Sequence, residues 1–269
     1  MFTNGVYGKF VDAFPEYKER TVLIRHAVPT YPRIGQEDAK KEILRWLESQ
    51  NETNRDWQRS VEELTSGLFE KNTFVLGDVG FVNNTKFPET IYLTAKLLQK
   101  KFPQKNVIGL YIGTLSYSGP KQISCLRRLR ELHNPKDNFY FFKAYVPERL
   151  FAKSLKALDI VHMWQEDCRQ SGKLAHAIGI GATVIGRNIE GVGETLRMSG
   201  YPALSTYGDF LDEIKRVIAN PESKDSMEES ARMYAHTWSW DKQASKHMKL
   251  VDSLISGKEL PILDEGEIR

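Results

Sequence analysis

From residue 73 onward, short apolar runs alternate with amphipathic stretches of helical length. Phe74 to Leu76 precedes a helical pattern from Pro88 to Gln99, and Val107 to Ile112 precedes one around Ile123 to Leu132. The alternation continues with Phe139 to Phe142 before Glu148 to Ala157, and Ile160 to Met163 before Ser171 to Ile178. Thr183 to Ile185 then precedes a helix starting near Glu194. Uninterrupted apolar runs suit strands buried on both faces. Strands separated by helices predict βαβ units, right-handed crossovers and a mainly parallel sheet. The predicted fold class is α/β, a doubly wound, Rossmann-like parallel sheet over residues 73–256.

The flanks read differently. Residues 1–72 hold one short apolar run, Val22-Leu23-Ile24, a loop with Pro29 and Pro32, and two charged amphipathic stretches. Ile43, Leu44 and Trp46 mark the first stretch, and Trp57, Val61, Leu64 and Leu68 the second. That is too little for a wound domain, so this segment is expected to be a linker with a helical extension. On the other side, Asp209 is the expected N-cap of a helix burying Phe210, Ile214, Val217 and Ile218 and ending before Pro221. A further helix is expected over Glu228 to Ala235. A C-terminal one, capped by Ser239, should run to about Leu254, leaving 257–269 frayed.

Composition narrows the function. Lys and Arg number 38 against 35 Asp and Glu, a formal charge of +3 spread along the chain, which leaves no electrostatic footprint for nucleic acid. Cys125 and Cys168 stand far apart without a CxxC pair, so no disulfide framework or structural zinc is indicated, and a reducing cytoplasm is the simplest setting. No run approaches the roughly 20 apolar residues of a membrane span, and the first ten residues lack a signal-peptide design. Peripheral membrane contact stays open. The expected partner is a small molecule or a protein.

In a wound sheet, ligands sit outside the carboxyl ends of the strands, at the turns into the following helices. Gly77 to Lys86 is a glycine-bearing turn ending in a lysine; glycines let backbone N–H groups approach an anion and Lys86 adds a point charge, although a solvated lysine also fits. In Glu166 to Leu174, Ser171 can cap a helix whose first turn holds Lys173, where a cation opposes the helix dipole unless an anion is near. Gly186 to Glu194 is polar and glycine-rich, with Glu194 placed as either a ligand group or a capping carboxylate. Gly113 to Gly119 suits a lid or a solvated loop. The P-loop and dinucleotide fingerprints are missing, since no GxxxxGK[ST] occurs and position 196 is not glycine. No metal site is expected: there is no DxD pair, and His162 and His176 read as structural. Cys168 lacks a His/Asp arrangement for nucleophilic work.

Taken together, these turns resemble the C-terminal, donor-binding domain of retaining, group-1 glycosyltransferases of GT-B fold. Gly80 and Lys86 match that family's glycine and the lysine six residues on; Lys173-Leu174-Ala175-His176, leading to Gly181 and Val184-Ile185, matches a later helix and strand. Gly191-Val192-Gly193-Glu194 matches its Gly-x-x-Glu, and Ser239-Trp240 its closing helix. Two departures stand out. Phe81 replaces the usual arginine, and the glutamate pair that meets sugar and ribose falls on Cys168 and His176; Glu166 takes the first place if the loop is two residues longer.

The resemblance implies a nucleotide-sugar donor, UDP- or GDP-linked, as substrate, with no cofactor and no metal. Gly80, Phe81, Ser171, Gly172, His176, Gly191, Val192, Gly193 and Glu194 would bind it, and Lys86, Lys173 and Glu166 would act at the reacting end. The linker strand falls on Ile24 to Pro29, and the acceptor-binding domain has no counterpart, which implies a longer chain or a partner subunit. The competing reading is a glycosyltransferase-like subunit that binds another chain without turnover. A sugar-nucleotide epimerase of the same fold is a third.

Overall fold

The computed structural model describes residues 3–50, 55–70, 72–166, 168 and 170–263. Three helices precede the sheet: α1 (Asn4–Ala13), α2 (Gln36–Glu48) and α3 (Arg55–Leu68). Then come β1 (Thr73–Val79), α4 (Glu89–Lys101), β2 (Asn106–Ile112), α5 (Pro120–Leu132), β3 (Phe139–Phe142) and α6 (Glu148–Lys156). The second half holds β4 (Ile160–Met163), α7 (Gly172–Ile180), β5 (Val184–Arg187), α8 (Val192–Met198) and β6 (Ala203–Leu204). Helices α9 (Tyr207–Ala219), α10 (Ser223–Thr237) and α11 (Trp240–Ile255) complete the chain.

The six strands pair in parallel in the order β3-β2-β1-β4-β5-β6. Val75, Leu76, Ile160, Val161, Val184 and Ile185 are fully buried, as expected of strands covered on both faces. The order reverses between β1 and β4. At such a switch point the following loops part to opposite sides and leave a crevice at the strand ends.

Local chemistry sets several boundaries. Ser171 caps α7 as expected, its Oγ accepting from the Leu174 N–H at 3.2 Å. Asp209 is not the cap of α9: Thr206 holds that place, accepting from the Asp209 N–H at 3.1 Å, and Asp209 sits in the first turn. Ser239 precedes α11 in extended conformation but makes no side-chain cap bond; its backbone pairs with Val28. The linker strand expected over Ile24 to Pro29 is reduced to that one bridge, with the Val28 N–H donating to the Trp238 carbonyl at 2.9 Å. Gly179 lets α7 come against the linker, because a Cβ there would collide with the Pro29 carbonyl. Residues 257–263 form no helix or strand, and 264–269 of the expected frayed end lie outside the described residues.

Candidate functional site

A cavity of about 510 Å³ opens at the switch point, beyond the carboxyl ends of β1, β2 and β4. Its first wall is the turn after β1. Gly80 has φ of +128°, a conformation that only glycine enters readily, and this turns the chain so that Phe81 lies at the mouth and Lys86 on the wall. Lys86 rides on a single 3-10 turn, Asn84–Lys86, that Asn83 caps through the Thr85 N–H. The next residue, Phe87, holds a left-handed φ of 45°, costly for an aromatic side chain and typical of loops whose geometry matters.

Beside this turn lies the start of α7. Ser171, Gly172 and Lys173 line the cavity, so the unpaired N–H groups of the helix's first turn accompany two lysines. Lys173 Nζ is bound at 2.5 Å to Asp78 Oδ1 of β1, both side chains being almost wholly buried. Among the described residues, Lys86 Nζ donates to the Phe81 carbonyl, at 3.0 Å. Burial, and next the charge of Lys173, push the Lys86 ammonium down to about 8, against a smaller upward pull from Asp78. Two cations and one carboxylate thus share a partly dry wall, which leaves positive charge for an anion to meet.

The remaining lining is largely aromatic. His176 stacks near Tyr31 and shares a 2.5 Å hydrogen bond with its hydroxyl through Nδ1, and Phe151 meets the imidazole edge-on. Burial lowers the His176 pKa and leaves the ring neutral at pH 7. Phe81 and Tyr145 face each other across 6.2 Å. Gln165, 3% exposed, has an Nε2 without a hydrogen-bond partner among the described residues, and its amide lies against the Cys168 thiol, which burial pushes up.

Of the residues singled out from sequence, Gly80, Phe81, Lys86, Ser171, Gly172, Lys173 and His176 meet in this one cavity. Glu166 does not line it; its side chain is exposed and its N–H donates to the Thr85 carbonyl at 2.7 Å, tying the two loops together. Asp167 and Arg169 of that loop lie outside the described residues. Gly191, Val192, Gly193 and Glu194 stand apart from the cavity. Glu194 accepts from the Asn4 and Gly5 N–H groups at the start of α1 and from Arg25 at 2.6 Å. Burial raises its pKa, but these three hydrogen bonds win and hold it below the usual carboxylate range. Sequence reasoning missed Asp78, Glu148, Phe151 and Gln165, each an ordinary residue of a strand, helix or loop until its neighbours are known.

No family model matches the chain. Among curated proteins, it is 25% identical over 184 residues to a D-inositol 3-phosphate glycosyltransferase of Corynebacterium urealyticum, a match covering 67% of this chain and 43% of that protein. Among solved structures, a UDP-forming trehalose-phosphate synthase of Burkholderia vietnamiensis superposes with a TM-score of 0.67 at 10% identity, over 95% of this chain and 60% of that one. A sucrose-phosphate synthase of Thermosynechococcus elongatus gives 0.66 at 15% identity, over 96% and 58%. The chain has the fold of one half of a GT-B glycosyltransferase. It spans about half the length of these relatives. In this GT-B half, the described residues contain no cluster of three or more metal-binding side chains and no helix long and apolar enough to cross a membrane.

Proposed function

We propose that the cavity binds the diphosphate of a nucleotide sugar, and that this chain supplies the donor half of a glycosyltransferase. The observation that carries the reading is the meeting of Lys86, Lys173 and the free N–H groups of α7 on one wall at the switch point. When the C1–oxygen bond of a donor breaks, its electron pair passes to the diphosphate and the glycosyl group goes to an acceptor oxygen. Fixed ammonium groups and helix N–H groups stabilise the charge that grows on the leaving group, the task a divalent metal performs at other sites. Transfer with retention puts the acceptor on the same face as the leaving diphosphate, over the mouth of the cavity. The acceptor site belongs to a second half, in a longer chain or a partner subunit. UDP is the favoured nucleotide, because the trehalose-phosphate synthase of like fold is UDP-forming.

Calorimetric titration with UDP, GDP and ADP, then with their sugar conjugates, tests the reading. Micromolar binding of one of them, weakened roughly thirtyfold in Lys86→Ala, is expected. No binding of any would remove the donor assignment. A second reading, a subunit that binds a nucleotide sugar or a partner chain without turnover, is favoured by one observation: Glu194 is committed to Arg25 and α1 instead of the cavity. Donor hydrolysis or transfer by the complete assembly decides between the two.

A further inference from the structure

Asp78 is a carboxylate in the apolar interior of the sheet. It lies on β1 between Gly77 and Val79, 3% exposed, two residues before the Gly80 turn. An ionised carboxylate in such a place is tolerated only when it is paired and hydrogen-bonded. Its Oδ1 accepts from the Val79 N–H at 2.7 Å and from Lys173 Nζ at 2.5 Å. Lys173 arrives from the first turn of α7, where the helix dipole opposes a cation. Asp78 takes one of the three N–H groups of its ammonium, and Lys173 lines the cavity beside Lys86 while Asp78 stands behind it in β1.

Four other titratable groups of this region are uncharged at pH 7. Tyr111 of β2 is driven well up by burial, His162 of β4 is driven down to about 3 by burial, and the Cys168 thiol is raised by burial. His176 of α7 is neutral. Glu148 of α6 lines the cavity beside His176. Among the described residues, Asp78 is the carboxylate that acts on both lysines.

We propose that Asp78 is a positioning residue: it anchors the Lys173 ammonium on the cavity wall and, by neutralising one of two neighbouring cations, keeps Lys86 protonated in the empty site. A diphosphate then meets two ammonium groups already in place. This rests on the donor reading given above, but its effect on Lys86 exists without any ligand.

The test begins with Asp78→Asn, nearly the same in shape. In the free chain, the NMR titration of the Lys86 Nζ should move down by about one pH unit relative to wild type. Affinity for UDP, GDP or ADP should stay within about threefold of wild type near pH 6 and fall away earlier as pH rises. An unchanged Lys86 titration overturns the proposal, and so does an equal loss of affinity at every pH, which a merely structural role produces. If Asp78→Asn does not fold, Lys173→Met and the double variant Asp78→Asn/Lys173→Met replace it. The double variant should bind the nucleotide about tenfold tighter than Lys173→Met, which leaves the carboxylate bare before the phosphate. No gain overturns the proposal. Wild type that binds no nucleotide defeats the donor reading alone, because the Lys86 titration still decides the role of Asp78.

Discussion

Two turns at the carboxyl edge of the same sheet carry a charged residue at a helix start, and their fates are opposite. At α7, Lys173 and its neighbour Lys86 share one carboxylate, and the surplus positive charge faces a cavity of about 510 Å³. At α8, Glu194 is met by a nearly inaccessible Arg25 and by two N–H groups of α1, so the charge is used up within the chain. A charge at the end of a wound strand marks a ligand site when the fold leaves it in excess. When the fold balances it, the same position becomes a fastening.

Removal of a partner from either turn should separate the two roles. The largest effect is expected for Lys173→Ala, which strands the buried Asp78 carboxylate; about 3 to 5 kcal/mol of stability should go in urea denaturation, with nucleotide binding sharply weakened as well. Glu194→Gln should cost somewhat less, about 2 to 4 kcal/mol, by leaving the Arg25 charge buried without its carboxylate. Hydrogen exchange should then speed up along Asn4–Ala13 while nucleotide affinity changes by less than about threefold. Loss of affinity in that variant would erase the contrast. Because the folded Glu194 pKa lies below its unfolded value, this fastening is present above about pH 4.5 and weakens as pH falls through the folded value, so α1 should come loose in acid before the sheet melts.

Lys86→Ala should leave stability nearly unchanged but weaken nucleotide binding by about 2 kcal/mol, roughly thirtyfold. In wild type the affinity should decline as pH rises through about 8, where Lys86 gives up its proton. The sign for stability is the reverse: the unfolded chain holds that proton to higher pH, so the free protein gains stability between about 8 and the ordinary lysine range. The smallest effect is expected for Ser171→Ala, about 1 kcal/mol in stability through the lost α7 cap.

The alternation of strand and helix was legible because each strand is an unbroken apolar run and each helix a periodic one. The two-residue β6 was not, for Ala203-Leu204 is too short to show a period. Helix α1 escaped notice because Gly5 and Gly8 weaken it and its start is held by Glu194, 190 residues away. The lysines announced themselves by standing near helix starts. Asp78 could not, since a carboxylate in a strand gains its meaning from Lys173, 95 residues on. Glu194 was readable as a cap or a ligand, but the helix it caps is not its own.

The contrast between the two turns is tested most directly by hydrogen exchange with and without the tightest-binding of UDP, GDP and ADP. Protection confined to residues 80–86 and 170–176, with 4–13 and 191–198 unchanged, is the predicted result. Protection that falls instead on 191–198 and alters 4–13 would contradict the account.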